Sequence, residues 1–218
     1  MGSIAMHLCV ANEVNKIFNL DMNSFLIGNI APDIYKNITN KKISTHYIEK
    51  YIINDKKYEL PNLGKYVNDN IQTIKKDAYI LGYYSHLIAD RIWYMDVVNK
   101  YTEVLSNDKT MVKLYNQDKF IFYQQFKNGV YEDYTNSNKY LLQKYGVNIE
   151  KLHNIPVLNI LDDEFTTLMN EFVCNDIMNI KLVKFNILTV KEMEDWIEVS
   201  KNEVIKELCK ILDKNGKN

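Results

Sequence analysis

Apolar residues recur at helical spacing along most of this 218-residue chain. Ile4, Leu8, Ala11, Val14, Ile17 and Phe18 follow the i, i+3, i+4, i+7 rule, which predicts a helix over residues 4–19. Residues 21–45, "DMNSFLIGNIAPDIYKNITNKKIST", contain Gly28, Pro32 and several asparagines, and read as a long ordered loop with one short helical turn near Phe25. A short helix is expected over 46–53, followed by a break at "ELPNLGKY". Residues 71–105 form the longest periodic segment, with Gly82 as its weak point. Further helices are expected over 108–127 and 132–145, separated by "NGVYED", with Gly146 in the position favoured just past a helix end. A helix from about 162 to 179 opens on Asp162 and Asp163, where carboxylates suit the positive helix end. The last, about 189–213, opens on Thr189 with Glu192 three residues on, a capping-box spacing. Seven glycines and three prolines are too few turn residues for a sheet-rich fold of this length. The expected class is all-α, a single compact multi-helix domain over residues 1–218.

Composition changes this picture little. Apolar residues make up 46% of the chain, enough for a sizeable core. The formal net charge is -1, which leaves no basic footprint for nucleic acid. Cys9, Cys174 and Cys209 are scattered and odd in number, with no CxxC spacing, which argues against a thiolate zinc site and a disulfide framework. The start, "MGSIAMHLCVANEVNKIF", lacks the basic region of a secretory leader, and no run of 18 apolar residues suggests a membrane span. A cytoplasmic location is the default for such a chain. Asparagine, lysine, isoleucine and tyrosine are abundant throughout, a sign of codon bias rather than function.

Five polar residues do not fit their surroundings. His7 lies inside the apolar first helix, between Met6 and Leu8. Asp33 closes "GNIAPD", His46 stands in "STHYI", and His86 and Asp90 stand one helical turn apart in "GYYSHLIADRIW". Two ligands at i, i+4 are a common way to hold a divalent ion, with Gly82 leaving room on that face. Taken singly, each residue has a plainer reading: a satisfied pair for His86 and Asp90, a core histidine for His7, a turn aspartate for Asp33 and a helix-start residue for His46. Tyr83, Tyr84 and Trp93 flank the same helix and read first as core packing, second as the lining of a cleft. His153 reads as a surface loop residue.

In chain order, however, "HLCVA", "FLIGNIAPD", "STHY" and "GYYSHLIAD" followed by an aromatic together resemble the zinc-dependent phospholipase C family. That family is all-α and related to the fungal single-strand nucleases, and the likeness covers about residues 1–100. The resemblance implies that Asp33, His46, His86 and Asp90 surround one zinc, and that His7 binds a second metal with Asp90 bridging both. Three imidazoles and two carboxylates suit Zn²⁺ and also Mn²⁺ or Fe²⁺. A thiolate-free, carboxylate-containing site is more often catalytic than structural.

Two departures stand beside the likeness. In the family's secreted phospholipases the amino terminus is itself a ligand, whereas six residues precede His7 here. Those enzymes also supply two further histidines and a glutamate for a third metal. This chain has only His153 beyond residue 90, with Val157 four residues on. It can therefore build a site of one or two metals.

The expected function is a metal-dependent hydrolase of a phosphate ester, a phospholipase C-like phosphodiesterase or phosphomonoesterase. A metal-activated water would be the nucleophile and Asp33 the general base. The partner would be a small-molecule or lipid phosphate ester; the residues name neither substrate, substrate-binding group nor oligomeric state. A helical metal- or lipid-binding protein without catalysis is the alternative. An HD-type phosphohydrolase needs an adjacent His-Asp pair, and no such dipeptide occurs.

Overall fold

A computed structural model describes residues 2–53, 56–98, 102–104, 111–114, 118–148, 163–172 and 185–212. Within them the protein is predominantly helical: α1 (Ile4–Phe18), α2 (Met22–Thr39), α3 (Lys42–Thr45), α4 (Leu63–Asp69), α5 (Ala78–Ile92), α6 (Tyr123–Lys144), α7 (Asp163–Phe172) and α8 (Val190–Ile211). A π-helical turn, Trp93–Val98, continues α5. Two small antiparallel sheets complete the description. One is the hairpin β1 (Ile48–Ile53) and β2 (Lys56–Pro61), with Tyr51 opposite Tyr58. The other is ordered β3 (Thr102–Val104), β4 (Met111–Leu114), β5 (Lys119–Phe122).

The packing of α2 against α5 organises the core. Gly28 and Gly82 let the two backbones touch: a Cβ on Gly28 would stand 2.0 Å from the Tyr79 carbonyl oxygen, and one on Gly82 would stand 2.2 Å from that of Phe25. Asn29 ties the interface further, its Nδ2 donating to Ser85 Oγ at 2.9 Å and to the Gly82 carbonyl at 3.3 Å. Around this pair α1 packs on α2, α6 and α8, and α8 also covers α5. The first helix is buried on nearly every side, including Met6, Leu8, Cys9, Val10 and Val14.

Several local expectations hold. The helix expected over 4–19 is α1, whose cap, Ser3, accepts from Met6 N at 3.1 Å. Thr189 and Glu192 form the capping box of α8, with Thr189 N donating to Glu192 Oε2 at 2.7 Å. Gly146 has φ +69° just past α6, and Val147 N reaches back to Leu142 O at 2.9 Å, closing a Schellman motif. α7 begins at Asp163, and the part of that expected helix beyond Phe172 lies outside the described residues.

Others are corrected. Residues 22–39 are a helix, not a loop, because Gly28 is a packing position and Pro32 sits buried in a core that outweighs its missing hydrogen bond. Residues 48–53 are a strand: Tyr47 turns the chain with φ 51° and the β-branched run then pairs with β2. "ELPNLGKY" holds the end of β2 and the start of α4, capped by Asn62 Oδ1 accepting from Lys65 N at 2.8 Å. The segment 71–105 is helical only from Ala78, where Asp77 caps α5, and it ends in the π turn and β3. The helix expected over 108–127 is instead β4, β5 and the first turn of α6. "NGVYED" lies inside a continuous α6, because Gly129 packs its bare backbone against Ile187 and Asp133 binds the backbone N–H groups of Asn186, Ile187 and Leu188.

The backbone contact of α2 and α5 yields a paired prediction. Gly82→Ala lowers stability by about 2 kcal/mol or more, since the added carbon meets backbone that has no room to yield. Gly64→Ala, on exposed α4 with its nearest neighbour 3.6 Å away, is neutral or slightly stabilising. Denaturant midpoints of the two variants measure the contrast; equal shifts contradict it.

Candidate metal centre

All five singled-out residues converge from four elements. His7 is in the second turn of α1, Asp33 follows Pro32 in α2, His46 terminates α3, and His86 and Asp90 share one face of α5. His7, His46, His86 and Asp90 are 0% exposed and Asp33 is 4% exposed. His7, His86 and Asp90 form one group whose ligand atoms lie within 4.8 Å of one another, and Asp33, His46 and His86 form a second. His86 therefore belongs to both groups.

The polar atoms of the cluster face each other without bonding. His7 Nε2 lies 3.4 Å from Asp90 Oδ1, and His46 Nε2 and His86 Nε2 each lie 3.7 Å from Asp90 Oδ2. His46 Nε2 is also 3.3 Å from Asp33 Oδ1. Both nitrogens of His7, the Nε2 atoms of His46 and His86 and both oxygens of Asp90 are buried with no hydrogen-bond partner. An unpaired buried polar atom costs about 1–3 kcal/mol, and more if charged, a cost that a bound cation would relieve here.

The histidine tautomers fit that need. His86 Nδ1 lies 2.7 Å from the Asn29 carbonyl oxygen, which only accepts, so Nδ1 carries the proton and Nε2 turns its lone pair inward. His46 Nδ1 lies 2.9 Å from Thr45 Oγ1, whose own proton has the Lys41 carbonyl at 3.3 Å to go to. His46 is thus also able to present a bare Nε2. Such outer partners fix ring orientation at metal sites. His7 stacks on His86 with centroids 3.9 Å apart and meets the edge of Trp196 at 5.4 Å.

The electrostatics point the same way. Burial, then the neighbouring His86, push the His7 imidazole down to about 4 against the pull of Asp90 and Asp33. Burial likewise lowers His46, outweighing Asp33 and Asp90. For Asp33 burial acts upward but Lys36, whose Nζ donates to Oδ1 at 2.8 Å, and then His46 and His86 hold the carboxyl far below its usual range. For Asp90 burial is outweighed in the same manner by His86 and His7. Two carboxylates held ionised, beside the His7 and His46 imidazoles whose protonation burial opposes, offer buried negative charge that a dication would balance.

Sequence reasoning passed over several participants. Asn29, through its carbonyl, and Thr45, through its hydroxyl, orient two histidines, and such roles carry no signal in residue type. Lys36 and Lys42 stand at the edge of the cluster, but lysine is common throughout. Tyr84 and Trp93 are buried in aromatic packing, Tyr84 on Tyr66 and Trp93 against Tyr134 and Trp196. Tyr83 stacks on Tyr66 and its hydroxyl donates to the Thr45 carbonyl. Cys9 and Cys209 are free thiols away from the cluster; Cys174 and His153 lie outside the described residues.

With metal removed, the cluster makes stability fall with pH. The folded His7 takes a proton only near pH 4, whereas the unfolded chain takes it near the ordinary value of 6.5. The native state therefore loses stability as pH falls from 6.5 toward 4, and the depressed carboxylates extend the loss downward. Denaturant titrations of chelator-treated protein across this range should show it, with a shallower fall in His7→Leu. A flat profile down to about pH 4 contradicts the assignment.

Residues 5–113, half of the chain, match the zinc-dependent phospholipase C family, and all five clustered residues lie within that span. Neither the curated proteins nor the solved structures compared with the chain give a match. Among the described residues no helix is long and apolar enough to cross a membrane. On the strength of that match, this chain belongs to the zinc-dependent phospholipase C family.

Proposed function

We propose that the chain is a metal-dependent hydrolase of a phosphate ester, with one or two zinc ions held by His7, Asp33, His46, His86 and Asp90. The observation that carries this reading is the set of buried, unbonded nitrogen and oxygen atoms that face one another at the meeting of α1, α2, α3 and α5. Two groupings of the donors support one or two ions, His7 with His86 and Asp90, and Asp33 with His46 and His86; the single Nε2 lone pair of His86 serves one ion, and Asp90, with Oδ1 facing His7 and Oδ2 facing His46 and His86, is the residue able to serve both. Mn²⁺ and Fe²⁺ suit the same donors. A zinc ion at such a site supplies a Lewis acid that polarises a phosphoryl oxygen and acidifies a coordinated water.

The chain's own residues do the rest. Asn29 and Thr45 keep His86 and His46 aimed inward by bonding their outer nitrogens. The cluster is buried from bulk water, with Trp196 set edge-on to His7, and burial strengthens each electrostatic contact inside. Asp33 is assigned as a ligand and as the general base. Lys36 keeps it ionised, the state in which a base must start, and also makes it a weak base, so the proton it takes has to come from an acidified water. The scissile bond belongs to a monoester or diester of phosphate.

The alternative, a non-catalytic metal- or lipid-binding protein, draws support from the missing ligands for a third metal beyond residue 90. Metal content and turnover separate the two. Zinc at about one or two ions per chain, with chelator-sensitive hydrolysis of a generic phosphomonoester or phosphodiester, is expected of the hydrolase. Bound zinc without turnover assigns the binding role, and no retained metal contradicts both. His86→Ala and Asp90→Ala each lose most of the metal, because each removes a buried donor that faces the others, whereas His153→Ala keeps it. Equal zinc in His86→Ala and the unaltered chain overturns the site.

A further inference from the structure

Three of the ligands have a second polar group about one helical turn away along the chain. Lys36 lies three residues past Asp33 on α2, Lys42 lies four before His46 at the start of α3, and Tyr94 lies four past Asp90 in the π turn. These groups are linked. Lys42 Nζ donates to Tyr94 OH and sits 5.2 Å from the centre of that ring. Opposite them, α6 contributes Tyr131, an electrostatic neighbour of Lys36, Asp33 and Asp90, with Lys127 Nζ 5.8 Å from its ring. The inner atoms are buried, whereas Lys36, Lys42 and Tyr94 are half-buried and Tyr131 is 49% exposed, so the ring marks the side on which the cluster approaches solvent.

The ring is rich in cations and poor in anions. Among the described residues the carboxylates that act most strongly on Lys36 and Lys42 are Asp33 and Asp90. Lys36 pairs with Asp33, an oxygen that a metal ion would share. Lys42 has a tyrosine hydroxyl as partner and pairs with no carboxylate among the described residues. A half-buried ammonium in that position is poorly compensated until an anion arrives. Ammonium groups also stand beside the tyrosines: Lys42 Nζ meets the hydroxyl edge of Tyr94 and Lys127 Nζ lies 5.8 Å from the centre of the Tyr131 ring, so a quaternary ammonium head group approaching either ring meets like charge.

From this arrangement we propose that Lys36 and Lys42, with Tyr94 and Tyr131, form an anion-recognition ring that selects phosphate esters of net negative charge and rejects zwitterionic choline-type esters. The assignment rests on the metal-dependent hydrolase reading and names its substrate class. The ammonium groups of Lys36 and Lys42 and the hydroxyl of Tyr94 donate to phosphate oxygens that the metal does not hold, and to any further anionic group on the leaving alcohol. A trimethylammonium group at the same mouth meets like charge.

The test uses the full chain loaded with zinc and inorganic phosphate as the probe. Calorimetry gives the phosphate Kd, and atomic absorption gives zinc content in the same samples. Lys42→Met is expected to weaken phosphate about tenfold or more, the loss of one charge-assisted hydrogen bond, with zinc content unchanged. Lys42→Glu is expected to weaken it further. Unchanged zinc in either variant shows that the centre beneath is intact. In turnover, phenyl phosphate and short-chain phosphatidylglycerol are expected to outpace short-chain phosphatidylcholine, and their order tells a terminal phosphate from an anionic head group. Phosphate affinity unchanged in both Lys42→Met and Lys36→Met, or faster turnover of the choline ester, overturns the ring while leaving the metal centre standing. Failure of the unaltered chain to hold zinc overturns the hydrolase reading, and the ring with it.

Discussion

The site depends on how closely α2 and α5 approach. Two glycines remove the side chains that would keep these helices apart, and backbone meets backbone at Gly28 and Gly82. That contact brings Asp33 of one helix to the face of the other that carries His86 and Asp90. It also puts the Asn29 carbonyl within 2.7 Å of His86, so the same approach that assembles the ligands fixes a tautomer. Pro32 belongs to this logic. It removes a hydrogen bond from the interior of α2 one residue before Asp33, a local loss tolerated because the helix is packed on its buried face.

The second constraint is electrostatic. Three imidazoles and two carboxylates taken out of water, most of their facing atoms unbonded, work against folding in the metal-free chain. Marginal stability makes such a penalty large in relative terms. A divalent ion that binds the native cluster and not the unfolded chain reverses the balance by mass action. Folding and metal loading are then coupled, and the lysines at the edge add a positive rim to a centre whose own charge the ion has neutralised.

The clustered residues, proposed as ligands, stand out in the sequence chiefly through their histidines. The chain has four histidines, and the three in this cluster stand out against apolar surroundings. Element ends were legible where they have chemical signatures, as at Thr189 with Glu192 and at Gly146. The helix that carries Asp33 was not, since Gly28, Pro32 and its asparagines signal a loop when read locally. Only the face of α5 opposite explains them. The short strands were hidden by their length and by a composition of isoleucine, lysine and tyrosine shared with the helices. The orienting groups were illegible for a stricter reason: a backbone carbonyl and a common threonine hydroxyl acquire their roles through position alone. The lysine ring was visible as spacing, Lys36 after Asp33 and Lys42 before His46, but was lost among the chain's many lysines.

If the buried cluster is a metal centre of nitrogen and oxygen donors alone, anomalous diffraction at the zinc edge from crystals of the zinc-loaded chain will show it. One or two anomalous peaks are expected inside the cluster, with ligand atoms at about 2.0–2.2 Å drawn from His86, Asp90 and the residues facing them, and with no sulfur among them. Zinc found only on surface residues or on Cys9, with the cluster empty in the presence of excess metal, would contradict it.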